Sequence, residues 1–258
     1  MNKVISADGT AIAYDRLGDG PAVVLVGGGS VDRTANAPLA SLLAQNYTVY
    51  NYDRRGRGDS DDAEVYAIER EFEDLDAVFA EAGGAAYLYG TSSGAALAVL
   101  ATAAGRPAIR LALWEPPYIL EGGRPRPPAD TASIYRDFIA AGRRSDAAEY
   151  FMAEVVGLPR EFVDQAKQAP WWAGQEAIAH TLAYDATIMG DYSLPTDTIA
   201  SVHTPTLVLD GGAGEEWMQL TCRTVADLLP DGRHGTLAGQ QHNVDPAVIA
   251  PALTEFFA

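Results

Sequence analysis

Short unbroken apolar runs recur along the chain, each closed by glycine, proline or a charged residue, and between most of them apolar positions fall at helical spacing. Ala22-Val23-Val24-Leu25-Val26 is such a run, of the kind buried on both faces of a sheet. Tyr47 to Tyr52 alternate and branch like the next strand, Ala86 to Tyr89, Ile109 to Trp114 and Thr204 to Asp210 read as further strands, and Arg233 to Leu237 make a last short strand. Helices fit the intervals: Pro38 to Gln45, Ile68 to Ala82 with Phe72, Leu75, Val78 and Phe79 at helical spacing, Ala95 to Ala104, Glu215 to about Leu229, and Pro246 to Phe257. At the start, two extended runs flank Asp8-Gly9 in residues 2 to 17, which predicts an antiparallel hairpin. Strands alternating with helices place the chain in the α/β class.

The alternation breaks from Tyr118 to about Ser201. Gly122-Gly123-Arg124-Pro125-Arg126-Pro127-Pro128 reads as a stiff, exposed linker, and beyond it the pattern predicts short helices over Ser133 to Ala141, Asp146 to Val156, Arg160 to Ala169 and Gln175 to Leu182. The domain reading is a sheet core from residues 1–117 and 202–258 with a helical insert over 118–201. Within the insert, Trp171 and Trp172 with Phe151, Met152, Tyr184, Ile188 and Met189 make either the insert's own core or the ceiling of an apolar pocket. Arg124, Arg126, Arg136, Arg143 and Arg144 can bind a substrate carboxylate, but a solvated face is the preferred reading.

Chemistry concentrates where strands end. After Ala86 to Tyr89 comes Gly90-Thr91-Ser92-Ser93-Gly94, then a small-residue helix. A serine at the apex of a strand-turn-helix is held in a strained backbone with its hydroxyl projecting, and flanking glycines avoid the collisions a Cβ would make there. Only Ser92 has glycine on both flanks; the competing reading is a serine-rich turn that caps a helix. A serine hydroxyl needs a base, and the base needs an orienting acid. Of four histidines, His180, His203 and His234 fall in a helix, in a loop before a strand and in a strand. His242 lies in the loop after a strand's C-terminal end, on the sheet edge where Ser92 must also lie. Glu115, at a strand end followed by Pro116-Pro117, is a rigid carboxylate on the same edge. Gly27-Gly28-Gly29 can bring a bare N–H to a reacting oxygen. Asp32 stands where a dinucleotide fingerprint needs its next glycine, which disfavours a phosphate loop. Arg54, Arg55 and Arg57 with Asp53, Asp59, Asp61 and Asp62 read as a self-satisfied, charge-paired turn.

Composition narrows the partners. A net charge of −17 argues against nucleic acid and against an anionic membrane surface. A single cysteine, Cys222, excludes an internal disulfide and fits a reducing cytoplasm, and it reads as a small buried hydrophobe. No apolar segment reaches signal-peptide or membrane-span length, so a soluble cytoplasmic protein is expected. A small-molecule substrate is expected, with no metal and no cofactor, and oligomeric state is left open.

Val24 to Gly29, Tyr52 to Ser60, Gly90 to Gly94, Pro205-Thr206-Leu207-Val208 and Gly239 to His242, in this order, resemble the α/β-hydrolase superfamily. The resemblance implies an eight-stranded, mostly parallel sheet flanked by helices, with its second strand antiparallel and a helical cap inserted after strand 6. It also implies Ser92 as nucleophile, His242 as base and an oxyanion hole from the backbone N–H groups of Gly29 and Ser93. Gly28, Trp171, Trp172 and Met189 are the residues expected to line the substrate pocket. Two positions depart from the family. Gly27 stands where a histidine often braces the oxyanion loop, and Gly214 stands where the acid usually follows the seventh strand. Some relatives carry the acid after the sixth strand, at the position of Glu115, which is therefore chosen over Asp210, Glu215 and Glu216. Esterase-like acyl transfer to water is the expected reaction. Perhydrolase or lyase chemistry on the same residues, and ligand binding without turnover, are the alternatives.

Overall fold

The computed structural model describes residues 1–258. Strands β1 (Asn2–Ile5), β2 (Ala11–Leu17), β3 (Ala22–Val26), β4 (Thr48–Tyr52), β5 (Ala86–Thr91), β6 (Ala108–Trp114), β7 (Thr206–Gly211) and β8 (Gly232–Leu237) form one sheet in the order β1-β2-β4-β3-β5-β6-β7-β8. β2 runs antiparallel to both neighbours, and every other pair is parallel. Helices α1 (Ala37–Leu43), α2 (Ile68–Glu81) and α3 (Ser93–Ala103) connect the first strands. Between β6 and β7 lie only helices: α4 (Thr131–Ala140), α5 (Arg144–Tyr150), α6 (Arg160–Ala166), α7 (Trp172–Ile178), α8 (Leu182–Met189) and α9 (Thr196–Ala200), with short 3-10 and π segments. The chain ends with α10 (Glu216–Leu228) and α11 (Pro246–Phe257).

The period-two alternation of a strand divides the core into two layers. Val23 and Leu25 pack with Leu39 and Leu43 of α1 and Ile249 and Leu253 of α11. Val24 and Val26 face the other way, with Leu75 and Phe79 of α2, Leu97 of α3 and Val225 of α10. Covering both faces with helices explains why the central strands are apolar without interruption.

Register then decides where chemistry can happen. Val26 pairs with Gly90, Thr91 with Trp114, and Trp114 with Leu209. The parallel strands therefore end nearly level, and Gly27, Ser92 and Glu115, which follow β3, β5 and β6, meet at one edge with Asp210 near the end of β7. No helix is long and apolar enough to cross a membrane.

The insert departs from its predicted helices chiefly at α5 and α8, and α9 has no predicted counterpart. The pattern over Asp146 to Val156 becomes α5 followed by a π-helical segment, Phe151–Val156, which stops where Gly157 takes a left-handed φ of 87°. α8 escapes the periodicity test because Leu182, Ala183, Ala186, Ile188 and Met189 are all buried, so no polar face marks its period.

Candidate functional site

Ser92 follows β5 directly and has φ 55° and ψ −128°, a conformation that L-residues rarely adopt. Its flanks show what holds it there. A Cβ on Gly94 would fall 2.5 Å from Gly27 O, and one on Gly90 would fall 2.5 Å from Gly94 O. The tight approach of β3, β5 and α3 thus requires both glycines. The Ser92 hydroxyl does not cap α3, as a helix-capping serine would.

Glu115 is also held at positive φ, 44°, and is buried. One carboxylate oxygen accepts from Gly211 N at 2.9 Å, and the other lies 2.6 Å from His242 Nδ1. The loop carrying His242 is pinned by Trp114, whose indole N–H donates to His242 O at 2.8 Å. Leaving Nε2 as the free nitrogen is the role an orienting carboxylate performs for an imidazole. Ser92 Oγ and that imidazole line the same cavities but are not hydrogen-bonded to each other. The other carboxylates weighed for this role are engaged elsewhere. Asp210 is fully buried against His234 Nε2, Glu215 accepts from the Trp217 indole, and Glu216 is exposed in the first turn of α10.

Although Gly27 stands where a histidine often braces this loop, the glycine loop is firmly braced. Arg57 Nη1 donates to Gly28 O and, at 3.3 Å, to Val31 O, while Arg54 Nη1 reaches Gly27 O at 3.5 Å. These arginines also correct the reading of residues 53–62 as a self-paired turn. Arg54 forms a bidentate pair with Glu71 and bonds Asp185 at 2.7 Å; Arg57 bonds Asp185 at 2.7 Å; Arg55 pairs with Asp74 and Asp8. The nearby aspartates turn outward instead, Asp59 to Arg33, Asp61 to Lys3 and Asp62 to His180 and Tyr184. Burial pushes the Asp185 carboxyl up, but the Arg57 and Arg54 charges and its hydrogen bonds outweigh this and hold it below the usual carboxylate range. Asp185 also accepts from Ser93 Oγ at 2.8 Å. One carboxylate of the insert therefore ties the glycine loop, through Arg57, to the residue after Ser92.

The model of the alpha/beta hydrolase family matches residues 23–251, which is most of the chain. The chain belongs to the alpha/beta hydrolase family. An alpha/beta hydrolase structure from Sphaerobacter thermophilus DSM 20745 is 52% identical, covers 100% of both chains and superposes with a TM-score of 0.94. An uncharacterized hydrolase, YraK of Bacillus subtilis strain 168, is 37% identical over 100 residues, which is 37% of each chain. Fold likeness extends further, to an enol-lactonase from Burkholderia xenovorans LB400 at 18% identity, 99% coverage of both chains and a TM-score of 0.75.

In this alpha/beta hydrolase two cavities meet at Ser92 and His242. One, of about 520 Å³, runs toward Arg124, Met189 and Trp217; the other, of about 590 Å³, runs toward Gly28, Trp171 and Ile249. Gly29 and Phe151 line both. The structure thus brings Gly28, Gly29, Ser92, Glu115, Met189 and His242 to the cavity walls, and Ser93 with them. Trp172 is a correction. Its ring is buried with Ala148, Met152, Val163 and Ala166, and its N–H donates to Ser145 and Glu176, so it belongs to the insert's own core. Trp171, beside it, is about half exposed and does line a cavity. Arg124 is a second correction, since it lines the first cavity and not a solvated face.

Sequence reasoning missed Asp185. Two signals pointed to it. It is the lone charge in the run from Leu182 to Met189, whose other polar side chains are Tyr184 and Thr187, and buried arginines after β4 require carboxylates from elsewhere in the fold.

Proposed function

We propose that this family member is a serine hydrolase, carboxylesterase-like, that cleaves an ester or related acyl bond of a small, largely apolar substrate through an acyl-enzyme. The observation that carries the reading is the 2.6 Å contact of His242 Nδ1 with buried Glu115, on the wall of the cavities that Ser92 also lines. His242 Nε2 takes the Ser92 proton as Oγ attacks the carbonyl carbon, and Glu115 stabilises the imidazolium. The backbone N–H groups of Ser93 and Gly29 receive the oxyanion. His242 then protonates the leaving alcohol, and water, deprotonated by the same imidazole, releases the acid. The insert, residues 118–201, serves as the cap that supplies one wall of both cavities, and the apolar residues Phe151, Val156 and Leu158, shared by both, suit an apolar substrate.

A fluorophosphonate probe followed by peptide mapping tests this directly. Label on Ser92 of the folded protein, absent from Ser92→Ala and slowed at least about 10³-fold in His242→Ala, is the expected result. Loss of one oxyanion donor costs on the order of 3 kcal/mol in the same chemistry. Failure of folded wild-type protein to label at Ser92 would sink the acyl-transfer reading.

A further inference from the structure

Arg124 is the one lysine or arginine on the wall of the first cavity. Acidic residues outnumber lysine and arginine by 35 to 18 in this chain, and the arginines nearest the site, Arg54 and Arg57, are neutralised by Glu71 and Asp185. Arg124 has no carboxylate within ion-pair distance. Its guanidinium is instead fixed by neutral groups: Nη1 donates to Val156 O at 2.8 Å, Nη2 donates to Val155 O at 2.7 Å, and the Trp217 ring centroid lies 5.4 Å away. These contacts orient the fork without discharging it, and a guanidinium carries more N–H donors than the two used here. Three carboxylates share this cavity wall, each with partners of its own: Glu215 accepts from the Trp217 indole N–H, Asp185 is held by Arg54 and Arg57, and Glu115 is held by Gly211 N and His242.

We propose that Arg124 is the anchor for a substrate carboxylate, so that the preferred substrates are esters carrying a second, free acid group at the end remote from the scissile bond. This rests on the reading of Ser92 as nucleophile. Half-esters of aliphatic dicarboxylic acids fit the combination: the methylene chain lies along Val155, Met189 and Met218, and the acid reaches Arg124. Charge-assisted hydrogen bonds of this type change affinity by about 10- to 100-fold.

The test compares mono-ethyl adipate with diethyl adipate, which differ only in the free carboxylate, and 4-acetoxybutyrate with its methyl ester, which moves the carboxylate to the alcohol side. The wild type is expected to favour the anionic member of the first pair by at least tenfold in kcat/KM, and added NaCl should erode that preference. In Arg124→Leu the ratio should collapse toward one, and Arg124→Lys should restore part of it, which a merely structural role of the arginine would not produce. A preference confined to the acetoxybutyrate pair would place the acid on the alcohol side and overturn the half-ester assignment. An equal ratio in wild type and Arg124→Leu overturns the anchor itself. If no ester is turned over, the anchor is read by protection of Ser92 from the fluorophosphonate by mono-ethyl adipate, with equal protection in Arg124→Leu refuting it. If Ser92 does not label at all, the nucleophile reading fails separately, and calorimetry with mono-ethyl adipate still decides the anchor: binding lost in Arg124→Leu supports it, and absent or unchanged binding overturns it.

Discussion

Replacing Asp185 with asparagine isolates the brace beneath the candidate site. The side chain keeps its shape but loses its charge, and three donors depend on it: Arg54 Nη1 and Arg57 Nη2 at 2.7 Å and Ser93 Oγ at 2.8 Å. The two arginines do not suffer equally. Arg54 retains its bidentate contact with Glu71, whereas Arg57 has no other carboxylate partner and is almost completely buried. The substitution leaves one uncompensated guanidinium in the interior, which costs about 3–5 kcal/mol. For a chain of this size that corresponds to a fall in Tm of roughly 6–20 °C. Thermal unfolding followed by circular dichroism measures it. A drop of less than about 2 °C would refute the claim that Asp185 is the charge balancing Arg57.

Two further readouts separate charge balance from loss of packing. In Arg57→Met with Asp185→Leu, both charges go together, so the double variant should be more stable than Asp185→Asn alone. The pH dependence gives the sign. The folded carboxyl is held below its ordinary value of 3.8, so its contribution is whole above that pH and disappears as pH falls through the lower folded value. The stability gap between wild type and Asp185→Asn should therefore close in acid and stay constant from pH 5 to neutrality, about one unit or more above the ordinary carboxylate range.

Three other substitutions and one chemical treatment have defined outcomes. Gly94→Ala would set a methyl 2.5 Å from Gly27 O and should cost about 3 kcal/mol in denaturant unfolding, whereas Gly174→Ala, with open space around it in α7, should stabilise by about 0.5 kcal/mol or leave stability unchanged. His234→Ala strips fully buried Asp210 of its one side-chain partner and should lower stability by about 2–3 kcal/mol, with Ser92 labelling of the folded fraction retained. Cys222 is buried and its thiol is pushed well up by that burial, so iodoacetamide at pH 8, near the ordinary thiol range, should modify it only in denaturant.

What could be read from the sequence divides along the range of the interactions involved. The sheet and Ser92 were legible because strand burial, a tight turn and the collisions that force glycine at 90 and 94 are all local to a few residues. Glu115 was legible for a related reason: the end of a buried strand can point in few directions. Trp171 and Trp172 were not separable, since consecutive residues at a helix start face different sides and nothing local says which side is cavity. Residues 53–62 show the limit most clearly. Charge balance was the correct demand, but proximity in sequence suggested the wrong creditors: Asp59, Asp61 and Asp62 lie on the exposed flank, while Arg54, Arg55 and Arg57 run inward to Glu71, Asp74 and Asp185. Burial decides this, because an inward guanidinium without a buried carboxylate would be prohibitive, whereas an outward aspartate is satisfied by water. The consequence reaches the chemistry. With no histidine at position 27, the glycine loop is fixed by Arg57, and Arg57 in turn requires an acid from α8. The insert is therefore part of what shapes the candidate oxyanion site, and a variant lacking it would leave Gly28 O and Ser93 Oγ without the bridge that now joins them.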